Sequence, residues 1–142
     1  MKGEKVQHQG VADVVSLRVT SEKDIIKARE CARQVAFKIG FDSKDRTLIA
    51  TAVSEICRNV IEHAERGEIM IESLQDDPCG IRIIVRDDGL GIENIDRAMR
   101  DGFSSGDGMG FGLPGTKRIM DKFKISSERG KGTEVIMAKW LQ

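Results

Sequence analysis

The sequence predicts an α+β fold: a two-layer sandwich in which helices cover one face of a mixed, largely antiparallel sheet. Three observations lead there. A strand pattern near the N-terminus is followed by two helix patterns in series, and two hairpin patterns flank a glycine-rich stretch. At 142 residues, 39% of them apolar, the chain has enough material for one packed core, so residues 1–142 read as a single domain.

The elements follow in order. Residues 14–19 alternate as a strand, with Val15, Leu17 and Val19 on one face. Ser21 with Asp24 reads as a capping box for a helix whose apolar positions Ile25, Ala28, Ala32, Val35, Ala36 and Ile39 recur at helical spacing up to Gly40. Ser43 is placed to cap a second helix, with Ile49, Ala52, Val53, Ile56 and Val60 on its apolar stripe, running to about Ala64. The runs "EIMIESL" and "IRIIVRDD", separated by "QDDPCG", form a hairpin. A short amphipathic piece at 92–99 leads into 101–115, which holds six glycines and cannot be a regular helix or strand. Pro114 suits the first turn of a helix containing Ile119, Met120 and Phe123. "KISSE", "RGKG" and "TEVIMAKW" close the chain as a second hairpin.

Composition excludes several classes of function. Basic and acidic residues number 23 each, so no overall field draws the chain onto nucleic acid or an anionic membrane. No apolar run reaches membrane-spanning length, and "MKGEKVQHQG" lacks the apolar stretch of a signal peptide, so a cytoplasmic location is expected. Cys31, Cys57 and Cys79 form no C-x-x-C pair, and His8 and His63 are too far apart to make a metal cluster by themselves.

The chemistry lies in four short segments. In "VSEICRNVIEH", residues 53–63, Glu55, Asn59 and His63 fall at i, i+4 and i+8 and project from nearly one face of the second helix. Asparagine is a poor helix former, but its carbonyl oxygen is a suitable hard ligand for magnesium. A carboxylate one turn before it can orient or deprotonate a hydroxyl. In "VRDDGLGI", residues 85–92, Asp87 at a strand end can accept a hydrogen bond from an exocyclic amine, while Gly89 and Gly91 let backbone approach a flat base. "RGKGTEV" places the hydroxyl of Thr133 at a strand entry, where it could meet the same base.

The fourth segment is "GDGMGFGLPGTKRIMDKF". Its G-F-G-L-P-G matches a dinucleotide fingerprint in letters only, because no buried strand precedes Gly110. A Walker loop requires Lys then Ser or Thr after the last glycine, whereas the order here is Thr116-Lys117. Glycine amides beside a helix start near Pro114 would still make an anion site for phosphates.

Taken in order, the four segments resemble the GHKL superfamily of ATPases and kinases, which includes gyrase, MutL and the histidine kinases and has the Bergerat type of α/β sandwich. The resemblance covers residues 53–138. Glu55 and Asn59 match its N box; Asp87, Gly89 and Gly91 match D-x-G-x-G; Gly108, Gly110 and Gly112 match the G-x-G-x-G of an ATP lid; and Gly130, Gly132 and Thr133 match the closing G-x-G-T. In its length, its lid and its ending the chain is similar to the single-domain bacterial serine/threonine kinases that act by partner switching.

That resemblance implies ATP and Mg2+ as cofactors. Glu55 would be the general base, Asn59 the magnesium ligand, and Asp87 and Thr133 the adenine contacts. His63, Phe111 and Leu113 would join the lid and motif glycines in holding the nucleotide. The implied partners are STAS-domain substrates of a stressosome-like complex and a downstream PP2C-type phosphatase activated by the released kinase, with no nucleic acid and no membrane. An anti-sigma factor, or a nucleotide-gated regulator that sequesters a sigma factor, is the alternative. One departure stands out: no Lys or Arg lies between Arg100 and Lys117, so neutralisation of the terminal phosphate falls to magnesium, the lid amides and Lys117.

Overall fold

The computed structural model describes residues 11–89, 112–128 and 130–142. They form β1 (Val11–Val19), α1 (Glu22–Ile39), α2 (Ser43–His63), β2 (Gly67–Leu74), β3 (Gly80–Asp87), α3 (Gly112–Ile119), β4 (Lys122–Glu128) and β5 (Gly132–Trp140). The strands make one five-stranded sheet in the order β1-β2-β3-β5-β4, and all four pairings are antiparallel. The amphipathic piece at 92–99 and most of the glycine-rich stretch lie outside the described residues.

Strand periodicity decides which side chains face the helices. Ile69 and Ile71 of β2, Ile81, Ile83 and Val85 of β3, and Val135 and Met137 of β5 share one face and are buried against Ile25, Ala28, Ala32, Ile49, Ala52, Val53, Ile56 and Val60 of α1 and α2. Ile71, Ile81 and Ile83 are fully excluded from solvent. Each such side chain contributes about 1.5–3 kcal/mol over remaining exposed. Because 81, 83 and 85 point to the helices, Asp87 is carried onto the same face, while Arg86 between them points outward and pairs with Glu134. Register then sets Asp87 opposite Thr133, and Thr133 opposite Ser127.

The helix ends refine the sequence reading. Gly40 closes α1 at φ 116°, with its N–H and that of Phe41 donating to carbonyls of the last turn, and Phe41 folds back into the core. At the start of α1, Asp24 reaches beyond Ser21 to accept from the backbone N–H and the hydroxyl of Thr20, at 2.8 and 2.9 Å. Ser21 itself makes no side-chain cap, so the expected capping box is shifted by one residue. The cap of α2 is Asp42 instead of Ser43, because the Asp42 carboxylate accepts from the N–H of Asp45 at 2.8 Å. The first strand begins earlier than expected, at Val11, with a register irregularity between Val11 and Val14.

The helix after Pro114 is also shorter than its apolar pattern suggests. It stops at Ile119, and Phe123 belongs to β4. Three bonds capture the chain for the sheet: Asp121 N–H donates to Ala138 O at 2.9 Å, Asp121 Oδ2 accepts from Trp140 N–H at 2.9 Å, and Lys139 Nζ donates to Ile119 O at 3.0 Å. A cation on the last carbonyls of a helix is favourable. The foot of α3 is thereby tied to the end of β5.

Candidate functional site

The C-terminal half of α2 crosses the sheet above the ends of β3 and β5, and a cleft opens between them. Its floor is apolar, made of Ile56, Val60, Val85, Ile125 and Val135. Its polar margin consists of Asn59 and His63 from α2, Asp87 from β3 and Thr133 from β5, and Leu113 from the first turn of α3 closes one side. Few polar groups converging on an apolar slot is the usual build of a small-molecule site.

Asp87 is held by backbone. Its Oδ1 accepts from Gly89 N–H at 2.9 Å and from Thr133 N–H at 3.2 Å, which fixes the carboxylate at the cleft mouth. The Thr133 hydroxyl lies 2.9 Å from Ser127 Oγ, and Ser127 Oγ in turn donates to Gly132 O at 3.2 Å. Three glycines allow the close approach. A Cβ on Gly132 would sit 2.1 Å from Asp87 O; one on Gly67 would sit 2.8 Å from Val60 Cγ1; one on Gly89 would sit 2.7 Å from the Ala64 Cβ. Any side chain at these positions would push α2, β3 and β5 apart at the point where they meet.

On α2 the motif residues divide by environment. Asn59 is half-buried and His63, the last helical residue, is exposed. Glu55, one turn before Asn59 and about 6 Å along the axis by helical rise, is 7% exposed and lies beyond the apolar cleft. The opposite side of this helix is core: the Cys57 thiol is pushed up to about 12 by burial, with the charge of Asp24 adding to it, so it stays protonated. It is no nucleophile.

The structure thus brings together Asn59, His63, Asp87, Leu113 and Thr133, with Gly89 beneath them and Gly112 opening α3. Gly91, Gly108, Gly110 and Phe111 lie outside the described residues. Sequence reasoning missed Ser127 and Gly67. Gly67 carried a signal, as a glycine at the mouth of a strand pattern. Ser127 carried none, because only the β4–β5 register places it against Thr133.

The residues fit an adenine nucleotide: an apolar slot for the ring, a fixed acceptor for its amine and glycine-lined backbone around it. They also fit magnesium better than a metal held wholly by protein. Asn59 offers one neutral oxygen, and no group of three or more His, Cys, Asp or Glu side chains gathers to hold an ion among the described residues. Magnesium keeps most of its shell as water and substrate phosphate.

Comparison with known proteins agrees with this geometry. Residues 19–139 match the family model of the histidine kinase-like ATPase domain. The chain is 44% identical over 131 residues to the serine/threonine-protein kinase RsbT of Bacillus subtilis, an alignment covering 92% of this chain and 98% of that one. It is 39% identical over 100 residues to the anti-sigma F factor of Clostridium kluyveri, covering 66% of this chain and 69% of the other. Among solved structures, a Mycobacterium tuberculosis protein with RsbU and RsbW domains superposes with a TM-score of 0.62 at 20% identity, covering 90% of this chain and 32% of that one. The mycobacterial sensor histidine kinase MprB superposes at 0.53 and 16% identity, over 90% of this chain and 96% of the other. At such identities the likeness is one of fold. Sheet order, the glycine-packed cleft and a family match across nearly the whole described chain have one common explanation: this chain belongs to the histidine kinase-like ATPase domain family.

Proposed function

We propose that the cleft between α2, β3 and β5 binds the adenine of ATP, and that the chain passes the terminal phosphoryl group to a serine or threonine of a STAS-domain partner in a stressosome-like complex. The chain is a serine/threonine kinase of the partner-switching kind. The observation that carries the site assignment is the fixed acceptor Asp87 beside Thr133 over an apolar floor, with Asn59 and His63 facing it from α2. Asp87 accepts from the exocyclic amine, and the ring lies on Val85, Ile125 and Val135.

Asn59 would hold Mg2+, which would supply charge neutralisation at the phosphates when bound. Glu55 takes the proton of the partner hydroxyl, whose oxygen forms the new bond to phosphorus as the bond to ADP breaks. Its low exposure keeps bulk water from competing for that proton. Lys117 is exposed on α3, one turn after Leu113, and is the lysine we assign to the terminal phosphate. We place the reaction in the cytoplasm and assign the released kinase the further task of activating a PP2C-type phosphatase. No helix of the described residues is long and apolar enough to cross a membrane.

Replacing Asp87 with Ala tests the site. It removes a charge-assisted hydrogen bond worth about 1.5–3 kcal/mol, so ATP affinity by calorimetry should fall roughly ten- to a hundred-fold. Unchanged affinity would refute the assignment. The likeness to anti-sigma F factors favours a second reading, a regulator that sequesters a sigma factor and uses ATP to set its shape. Incubation with γ-labelled ATP and candidate partners separates the two, because the regulator alone transfers no label.

A further inference from the structure

Three large apolar side chains are exposed among the described residues, and two of them, Ile26 at 51% and Phe37 at 66%, lie on α1. Between them on the same helix stand Glu30 and Arg33, and the four positions fall within about 60° of the helix surface at 3.6 residues per turn. Phe37 is held in place. The Arg46 guanidinium stands 5.1 Å from its ring centroid, and Arg46 Nη1 donates to Phe41 O at 2.7 Å. Arg33 is less well served: its Nε is shielded from solvent without a hydrogen-bond partner among the described residues, and Glu30 Oε2, at 3.8 Å, is too distant to be one. An exposed, braced aromatic beside an incompletely paired guanidinium has the make-up of an interface anchor.

The order along this stripe is apolar, acid, base, apolar, with spacings of four, three and four residues. Read backward, the spacings are unchanged and the two charges are exchanged. We propose that the outer stripe of α1 is an interface for a second copy of this chain, the two helices running antiparallel about a twofold axis midway between Glu30 and Arg33. By helical rise, Ile26 and Phe37 then lie about 8 Å from the axis on opposite sides, so each Ile26 meets Phe37 of the second copy. Glu30 and Arg33 lie about 2 Å from the axis, so two acids and two bases alternate in one cluster and each Arg33 gains a further acceptor. Every contact occurs twice, as twofold symmetry requires, and a shallow crossing of about 20° keeps both ends within reach. A parallel pair would set Glu30 on Glu30 and Arg33 on Arg33, and like charges oppose it. The nucleotide cleft takes no residue from α1, so both clefts of the pair stay open. One helix pair covers less than the roughly 1,200 Å² of a stable complex, so the association is weak and rises with protein concentration.

Sedimentation velocity of the full chain, carried to millimolar concentration, should show a reversible monomer–dimer equilibrium. Phe37→Ser should weaken it at least about tenfold. Should that variant fold poorly, Ile26→Ser tests the same contact from its other member. Glu30→Arg and Arg33→Glu each place like charges at the axis, and each alone should associate more weakly than wild type. Mixed together they should recover association as a heterodimer, because every acid again meets a base; a purely structural effect of either substitution predicts no such rescue. A wild type that stays monomeric, single charge variants that associate as well as wild type, or a mixture no better than its components overturns the proposal. If the wild type is monomeric while Phe37→Ser loses binding to a STAS-domain partner, the stripe belongs to that partner and the pairing of copies is equally overturned.

Discussion

Gly132→Ala is expected to damage stability and nucleotide binding together, because Gly132 sits where β5 meets the backbone of Asp87. Two costs arise. Its φ of +91° lies in the left-handed region, where a Cβ costs about 1–2 kcal/mol. The new Cβ would also lie 2.1 Å from Asp87 O, well inside the 3.0 Å that real Cβ atoms essentially never breach. β3 and β5 must therefore separate by on the order of 1 Å, with an overpacking cost of about 1–3 kcal/mol. The total, roughly 2–5 kcal/mol, is a large part of a typical folding free energy and lowers Tm on the order of 10 °C. The same movement lengthens the bond from Thr133 N–H to Asp87 Oδ1, so the surviving folded protein should bind ATP at least tenfold more weakly. Gly130→Ala is the control: its φ is +81°, but nothing lies within 4 Å of the added Cβ. It should cost about 1 kcal/mol, the conformational part less the entropy gained in the unfolded chain. Urea unfolding and calorimetry on the two variants measure both effects. Equal stability of Gly130→Ala and Gly132→Ala would refute the argument from close approach.

Two further outcomes follow from groups near α1. Hydrogen bonds from the Thr20 backbone and hydroxyl hold the Asp24 carboxyl below its ordinary value, so the folded state binds this proton less readily than the unfolded one. The associated stability is present above the unfolded value and is lost as pH falls through the folded one. Asp24→Asn should therefore flatten the acid limb of stability against pH, and an unaltered limb would count against the Thr20 contact. Cys57, buried and raised to about 12, should resist iodoacetamide at pH 8 until the protein unfolds, whereas the part-exposed Cys31 and Cys79 react in the native state. Equal rates for all three thiols would contradict the packing of α2.

Much of this was legible because the patterns that make the fold also carry the site. Alternation in "IRIIVRDD" buries Ile81, Ile83 and Val85 and, by the same period, delivers Asp87 to the helix side. Helical spacing likewise put Asn59 and His63 on one face, and both line the cleft. The rest depended on tertiary contacts that a linear pattern does not contain. Apolar spacing continued the third helix to Phe123, yet pairing of Phe123 with Met137 took that residue into β4. Ser43 and Asp42 are both good caps by residue type, and only backbone geometry chose between them. The contact of Ser127 with Thr133 depends on the register of two strands separated in sequence by the closing turn.

The central claim is that the α2 residues beside this cleft perform phosphoryl transfer. Single-turnover transfer from γ-labelled ATP to a STAS-domain partner, comparing wild type with Glu55→Gln, tests it most directly. A base that only moves a proton adds little to ground-state binding, so the variant should bind magnesium-ATP nearly as tightly as wild type. Its transfer rate should fall on the order of 10² to 10⁴. Label appearing on serine or threonine at the wild-type rate in Glu55→Gln would contradict the account.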